Sequence, residues 1–385
     1  MGSLEELPTI NNQMLTQVVQ KMLKDESANV TDWKTSELQG GTLGKVYALS
    51  GTYSLNRIAS NTESASVYNE HTTHSTTHKG SKLEKAGWST ILKIQKAYER
   101  FGDPDSWRRE MLLYQSDLYY QLPKTLKAPV CYNMEDKQQG EIWLWLEHIS
   151  GHHGIHLSGD HYALISRHLA HFQGTYLTGK PLPSYPWLST QYWLVQTMSQ
   201  WGTRAIPWIQ TNKETGLSME VVEGVQQLWA ERDQLLDVFY SLPRTFCHRD
   251  FSAGNVFLTQ DATGMDQTVV IDWDCAGIGI AGEDIADLVG EALIFYKFDP
   301  AKAVELQEKI VSHYILGLQE AGWNGDEKLI RLGYLISLTL HWCFRIICRA
   351  QKKDNPEINR YASVLSFIVH QAAEARKIIS TLPMK

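Results

Sequence analysis

A short polar pattern, H-x-D-x-x-x-x-N, constrains this sequence more than any other feature, because two apolar runs accompany it. The pattern places Asp250 and Asn255 just before the apolar residues 256–258, and a second apolar run, residues 269–271, leads directly into Asp272. Short apolar runs separated by polar, glycine-containing sequence predict two paired strands joined by a hairpin turn. Such a hairpin would bring the three polar side chains to one end of the strand pair. Phosphoryl transfer needs this set of oxygens, a carboxylate for the attacking hydroxyl and ligands for magnesium.

Taken one at a time, these residues are weak indicators of a site. A single Asp or Asn beside an apolar run is usually a turn former or a helix cap. His248, the first residue of the pattern, is predicted to be structural, packing beneath the loop. The combination in this order and spacing favours a functional site, because unpaired charge at strand ends within apolar sequence is costly.

The pattern resembles the catalytic loop and metal-binding strand of the aminoglycoside phosphotransferase and choline kinase-like family, small-molecule kinases that share the protein-kinase fold. The resemblance implies that Asp250 is the catalytic base, that Asn255 is a magnesium ligand, and that Asp272 is the main magnesium-binding carboxylate. It also implies that Asp284, in the segment G-I-A-G-E-D-I-A, is a structural acid that ties the catalytic loop to the following helix. The sequence departs from the family at Arg249, where glycine is commoner.

Length and composition predict a globular protein of two lobes. The chain has 385 residues, which exceeds the usual size of one hydrophobic core. A net charge of −7 disfavours a nucleic-acid partner. Five cysteines without a C-x-x-C pair indicate reduced thiols, and residues 1–6 lack the features of a signal peptide. The apolar residues 332–348 predict a buried helix rather than a membrane span. We therefore expect a cytoplasmic protein without a membrane partner, and its oligomeric state stays open.

The first part of the chain carries signals of nucleotide binding. Gly41 and Thr42 lie in a glycine-rich turn between two predicted strands. Glycine lets backbone N–H groups approach a phosphate, although such a turn is also found in ordinary hairpins. A third predicted strand carries Lys93, which is costly to bury without a partner acid. The resemblance implies that Lys93 contacts the nucleotide phosphates and pairs with Glu110 of the next helix. Polar residues 54–86 are interpreted as a long insertion.

A hinge between the lobes follows from the same resemblance. The backbone carbonyl of Glu147 and the N–H of Ile149 would pair with the adenine edge. We predict an α+β, bilobal protein-kinase-like fold. Residues 1–147 would form a small antiparallel-sheet N-terminal lobe that binds the nucleotide. Residues 148–385 would form a larger, mainly helical C-terminal lobe with the catalytic and substrate-binding residues.

The predicted function is transfer of the γ-phosphoryl group of ATP (or GTP), with Mg²⁺, to a hydroxyl of a small molecule. An antibiotic such as an aminoglycoside or macrolide, an amino alcohol or a sugar would suit these catalytic residues. Sparse acidic residues in the aromatic-rich residues 178–208 weaken the case for a polycation.

Two alternatives stay open. A protein kinase is disfavoured because the sequence D-W-D stands where protein kinases carry D-F-G, and no A-P-E segment follows. An inactive nucleotide-binding regulatory module is disfavoured because the sequence has all four residues that the active family members need, Lys93, Asp250, Asn255 and Asp272.

Overall fold

The computed structural model describes residues 9–38, 44–55, 86–100, 103–137, 140–189, 193–211, 216–351 and 355–382. Its strands are β1 (Ala28–Leu38), β2 (Gly44–Leu55), β3 (Ala86–Lys96), β4 (Leu126–Lys127), β5 (Cys131–Lys137), β6 (Glu141–Glu147), β7 (Arg244–Cys247), β8 (Val256–Gln260), β9 (Asp266–Val270) and β10 (Gly277–Ile280). Its α-helices are α1 (Asn12–Leu23), α2 (Arg109–Gln115), α3 (Gly159–Leu177), α4 (Trp193–Thr211), α5 (Met219–Tyr240), α6 (Glu283–Ile294), α7 (Ala303–Glu320), α8 (Glu327–Ala350) and α9 (Ile358–Thr381). The predicted α+β class is confirmed. The predicted phosphate-binding turn with Gly41 and Thr42, and residues 56–85 of the predicted insertion, lie outside the described residues.

The chain divides into two units, and the first contains the described residues up to Lys96 together with Val130–His148. Its antiparallel sheet has the order β1-β2-β3-β6-β5. Helix α1 begins at the cap Asn11, whose side chain accepts a hydrogen bond from the backbone of the first turn. The buried face of α1 packs with the apolar residues of the sheet to form one core. Because side chains alternate along a strand, Leu92 on β3 enters this core while Lys93 lies on the opposite face.

The second unit contains Ala97–Pro129 and Ile149–Lys385. The sequence-based division placed Ala97–Pro129 in the first lobe, and the structure differs there because of long-range contacts. Arg109 of α2 forms a buried ion pair with Asp103 at 2.7 Å and donates to the backbone carbonyl of Asp274. Strand β4 also pairs in parallel with β9. Segments joined by buried polar contacts and a strand ladder belong to one folded unit.

Helix α8 forms the centre of the second unit's core. Trp342, Phe344 and Tyr334 are among its fully buried side chains. This helix is long and apolar enough to cross a membrane, but 89% of its most apolar stretch is buried inside the protein. The core helix of a globular protein has these properties, as the sequence predicted for residues 332–348.

Gly290 allows α6 and α8 to approach each other closely. A Cβ atom at this position would lie 2.3 Å from the indole of Trp342. We expect Gly290→Ala to lower the free energy of unfolding by about 1–3 kcal/mol, since the clash outweighs the better helix propensity of alanine. Urea unfolding measures this loss. Gly159→Ala, whose Cβ would meet only the side chain of Lys309 at 3.5 Å, should be nearly neutral, and equal losses in both variants would contradict the packing explanation.

Candidate active site

The predicted hairpin is present and brings together the residues that the sequence singled out. Asp250 lies in the loop between β7 and β8, and Asn255 immediately precedes β8. Strands β8 and β9 pair antiparallel with Val256 opposite Val270. Beyond this pair, the N–H of Ile271 donates to the carbonyl of Asn255 at 2.9 Å. The ladder therefore holds Asp272 beside the start of β8.

Three carboxylates meet at this end of the hairpin. Oxygen atoms of Asp250, Asp272 and Asp274 all lie within 4.8 Å of one another. The side-chain amide of Asn255 donates to the carbonyl of Asp250 at 2.9 Å and to its Oδ2 at 3.0 Å. Asp250 and Asp272 are partly exposed, whereas Asp274 is buried. Asp250, Asn255 and Asp272 thus form one cluster, and Asp274, considered in the sequence only as extra charge, belongs to it.

His248 joins the catalytic loop to the end of β9. Its Nε2 bonds to the carbonyl of Ile271 at 3.0 Å, and its Nδ1 accepts from the N–H of Asp250 at 3.3 Å. These partners assign the neutral tautomer with the proton on Nε2. The ring also packs edge-on against Trp273, with the centroids 4.7 Å apart. His248 is therefore structural, as predicted.

Asp284, at the start of α6, holds the same loop from the other side. Its carboxylate accepts hydrogen bonds from the backbone N–H groups of His248 at 2.9 Å and Arg249 at 2.7 Å. It also accepts from the side-chain amide of Gln173 at 2.8 Å. This is the tie between loop and helix that the family resemblance implied. Burial raises the pKa of Asp284 to about 7, although the two backbone N–H groups oppose the shift.

The departure at Arg249 has a structural explanation. Its backbone is left-handed, with φ of 64°, a conformation that glycine adopts without strain and other residues adopt at a cost of about 1–2 kcal/mol. The buried guanidinium donates to the carbonyl and hydroxyl of Ser189 at 3.0 and 3.1 Å and to the carbonyl of Ile278 at 2.5 Å. These charge-assisted bonds offset the backbone strain. The loop therefore keeps its shape without glycine.

Asp272 is a second residue of the site with a left-handed backbone, at φ 65° and ψ 60°. Non-glycine residues in this region are uncommon and concentrate at functional sites. The conformation ends β9 and starts the short turn that carries Asp274.

Two side chains that the sequence analysis did not identify surround Asp274. The Tyr98 hydroxyl donates to its Oδ2 at 2.9 Å, and Arg100 Nη1 lies 3.3 Å from the same oxygen. Both residues follow β3 in an irregular segment, so no periodic pattern marks them. Arg100 brings a positive charge to the carboxylate cluster.

The electrostatics of Asp250 reflect its neighbours. Burial, together with the negative charges of Glu291 and Asp272, raises the pKa of the Asp250 carboxyl to about 7. The guanidinium groups of Arg100 and Arg345 oppose this shift. Carboxylates that repel one another in this way are stabilised by a cation bound between them.

The predicted nucleotide-binding residues lie in both units. Lys93 is on β3, the central strand of the sheet, and Glu147 ends β6, where its N–H donates to the carbonyl of Val130 at 2.8 Å. Glu110 is fully buried on α2. Ile149 is the first residue of the segment Ile149–Lys385 of the second unit. The pairing of Lys93 with Glu110, and the contacts of Glu147 and Ile149 with adenine, stay predictions.

Comparison with known proteins gives one decisive match. The profile of the phosphotransferase enzyme family matches residues 84–318, more than half of the chain. This chain belongs to the phosphotransferase enzyme family. Membership confirms the predicted resemblance and the predicted class of enzyme, a small-molecule kinase. A comparison with curated proteins gives no significant match.

Solved structures of kinases resemble this phosphotransferase over most of its length. Choline kinase from Cryptosporidium parvum Iowa II is 14% identical, with 96% of each chain covered and a TM-score of 0.52. An amicoumacin kinase in complex with AMP-PNP and Ca²⁺ is 13% identical, with 97% of this chain and 95% of that chain covered and a TM-score of 0.49. An ethanolamine kinase from Plasmodium vivax is 14% identical, covering 90% and 83% with a TM-score of 0.46. The likeness to choline kinase shows that the phosphotransferase has a kinase-like fold.

Proposed function

We propose that this phosphotransferase moves the γ-phosphoryl group of ATP to a hydroxyl group of a small molecule. The observation that carries the proposal is the convergence of Asp250, Asp272 and Asn255 at the end of one hairpin, with carboxylate oxygens within 4.8 Å. Phosphoryl transfer is catalysed mainly by positioning and charge stabilisation, and needs a hydroxyl-orienting carboxylate next to metal ligands. The membership of the family supports the same reaction type.

The residues of the cluster fit a divalent cation. Mg²⁺ prefers oxygen ligands, and Asp272 and Asn255 would hold it with help from water and phosphate oxygens. When bound, Mg²⁺ would neutralise the charge of the phosphate groups. The negative charges of Glu291 and Asp272, which add to burial in raising the pKa of Asp250, would favour binding of a cation at this end of the hairpin. Lys93 would contact the nucleotide phosphates, and Gly41 and Thr42 would approach them through backbone N–H groups.

Asp250 would orient the acceptor hydroxyl and accept its proton. Asn255 fixes the Asp250 side chain by donating to Oδ2, and His248 and Asp284 fix the backbone of the loop. Hydrogen bonds thus hold the loop from both sides. A carboxylate that is already held in position contributes more to catalysis than a flexible carboxylate does.

The metal assignment is tested by Asp272→Asn. We expect the Mg²⁺ concentration for half-maximal ADP release to rise at least about tenfold, because a neutral amide is a weaker ligand than a carboxylate. ADP release is measured against Mg²⁺ across a panel of aminoglycosides, macrolides, amino alcohols and sugars, with ATP and GTP compared. Asp266→Asn, an exposed acid on β9, is the matched control. An unchanged Mg²⁺ requirement in Asp272→Asn would remove this residue from the metal site, and nucleotide binding without turnover on any acceptor would favour a regulatory module.

We also infer a cytoplasmic location and a small-molecule partner rather than a nucleic acid. All five cysteines are free, which suits a reducing compartment. The net charge of −7 supplies no general attraction for phosphate backbones.

A further inference from the structure

A guanidinium lies against one carboxylate of the cluster, that of Asp274. Arg100 Nη1 lies 3.3 Å from Oδ2 of Asp274 and 3.4 Å from its Oδ1, so that one nitrogen spans both oxygens. The Tyr98 hydroxyl donates to the same Oδ2 at 2.9 Å. Both oxygens of Asp274 therefore already accept hydrogen bonds from side chains of this protein.

The ion pair of Arg100 and Asp274 lies inside the carboxylate cluster. An oxygen of Asp274 lies within 4.8 Å of oxygens of Asp250 and Asp272. Because Arg100 Nη1 is no more than 3.4 Å from either oxygen of Asp274, its positive charge stands at the same end of the hairpin. These four residues and Tyr98 all belong to the second unit. Distances within one folded unit thus place a protein cation among the proposed metal ligands.

Neighbouring groups hold both members of the ion pair. The side chain of Asp274 is 6% exposed, and that of Arg100 is 26% exposed. Nη1 of Arg100 also donates to Sγ of Cys275 at 2.9 Å, and the backbone carbonyl of Asp274 accepts a hydrogen bond from Arg109. Opposite charges attract each other more strongly where water is excluded. A divalent ion that took Asp274 as a ligand would have to displace this guanidinium and leave it without its carboxylate.

Arg109 shows what a structural arginine looks like in the same segment of the chain. Its ion pair with Asp103, at 2.7 Å, involves a side chain that is only 2% exposed. Asp103 is not a member of the carboxylate cluster. Arg100 differs in both respects, since it is partly exposed and its partner, Asp274, is one of the three clustered acids. Its position therefore suits a role in the site.

Enzymes that transfer phosphoryl groups supply positive charge beyond the first metal ion in more than one way. Protein kinases hold two Mg²⁺ ions, whereas some nucleotide hydrolases with one Mg²⁺ ion use an arginine of their own chain. A guanidinium keeps its charge at every physiological pH. Arg100 lies where the clustered carboxylates would otherwise recruit a second ion.

We propose that Arg100, held on Asp274, takes the place of a second divalent cation, so that this phosphotransferase binds a single metal ion with its nucleotide. The inference rests on the proposed function, because Asp272 and Asn255 are taken to hold that ion. Asp274 is then a positioning residue for Arg100 and not a metal ligand. The site takes one hard divalent cation, for which oxygen ligands are suited.

The number of bound Mn²⁺ ions tests the inference, because Mn²⁺ takes the same oxygen ligands as Mg²⁺ and is counted by electron paramagnetic resonance. The chain is dialysed to equilibrium with Mn²⁺ and saturating AMP-PNP, so no turnover is needed. We expect about one Mn²⁺ per wild-type chain and about two per chain of Arg100→Met, in which Asp274 becomes available to a second ion. Arg108→Met, which removes a side chain that is 48% exposed in the same segment, is the matched control and should match the wild-type chain.

The double variant Arg100→Met/Asp274→Asn distinguishes a counter-ion from a metal ligand. It removes both charges of the ion pair, so the count should return to about one Mn²⁺, with a Kd within about threefold of the wild-type value. Two Mn²⁺ ions in the wild-type chain, one in a folded Arg100→Met chain, or a Kd raised about tenfold or more in the double variant would overturn the inference.

The wild-type count needs no variant, so the test holds even if Arg100→Met does not fold. It also distinguishes the inference from the proposed function on which it rests. A wild-type chain with two Mn²⁺ ions would overturn the inference alone, whereas a chain that binds no Mn²⁺ in the presence of AMP-PNP would overturn both.

Discussion

Asp250→Asn is expected to lower kcat by about two to four orders of magnitude, the usual contribution of a positioned general base. The affinity for ATP should stay within about twofold, because the proposed metal ligands and Lys93 are unchanged. Asparagine is nearly isosteric, and its side-chain oxygen can still accept the hydrogen bond that Asn255 donates to Oδ2 at 3.0 Å. The loop should therefore keep its shape and lose only the ability to accept a proton.

Steady-state ADP release gives kcat, and calorimetric titration with ATP and Mg²⁺ gives the affinity. Asp237→Asn, an exposed helical acid of the second unit, is the matched control and should keep full activity. A decrease in kcat accompanied by a lower Tm would point to damage to the loop instead of loss of the base. Full activity in Asp250→Asn would rule out the assignment of Asp250.

The central hairpin could be predicted from the sequence because the residues that specify it are close together along the chain. Asp250 and Asp272 are 22 positions apart in the sequence, but the two apolar runs between them can pair in only one register when the turn is short. The sequence also marked position 249 as a departure from the family's glycine, and the structure adds that its backbone is left-handed. Local patterns of this kind specify strands, turns and the side chains at their ends.

Long-range contacts could not be predicted in the same way. Arg109 donates to the carbonyl of Asp274, and Tyr98 and Arg100 contact the carboxylate of that residue, although more than 150 positions separate the partners. These contacts transfer residues 97–129 to the second unit, against the boundary predicted at residue 147. A boundary drawn from strand patterns has no access to such pairings.

Asp284→Ala is expected to lower the free energy of unfolding by about 3–5 kcal/mol, the usual cost of removing one partner from a buried charged network. The substitution leaves the N–H groups of His248 and Arg249 and the amide of Gln173 without their acceptor. Buried donors that lose their acceptor cost about 1–3 kcal/mol each unless water replaces it. Urea unfolding measures the loss, and Asp233→Ala, whose side chain is 76% exposed, should change stability by less than about 0.5 kcal/mol.

The pH dependence of the free energy of unfolding separates the effect of the charge of Asp284 from the effect of its side-chain packing. Burial raises its pKa in the folded state to about 7 from an ordinary value of 3.8, so the folded chain holds a proton that the unfolded chain releases. The contribution of this group to stability is therefore complete below about pH 4 and is lost as the pH rises through 7, with a slope of at most about 1.4 kcal/mol per pH unit. Asp284→Asn removes the titration but keeps one acceptor oxygen. The stability of this variant relative to the wild-type chain should thus improve between pH 5 and pH 7.5, and a constant relative stability over this range would mean that the three hydrogen bonds hold Asp284 ionised throughout.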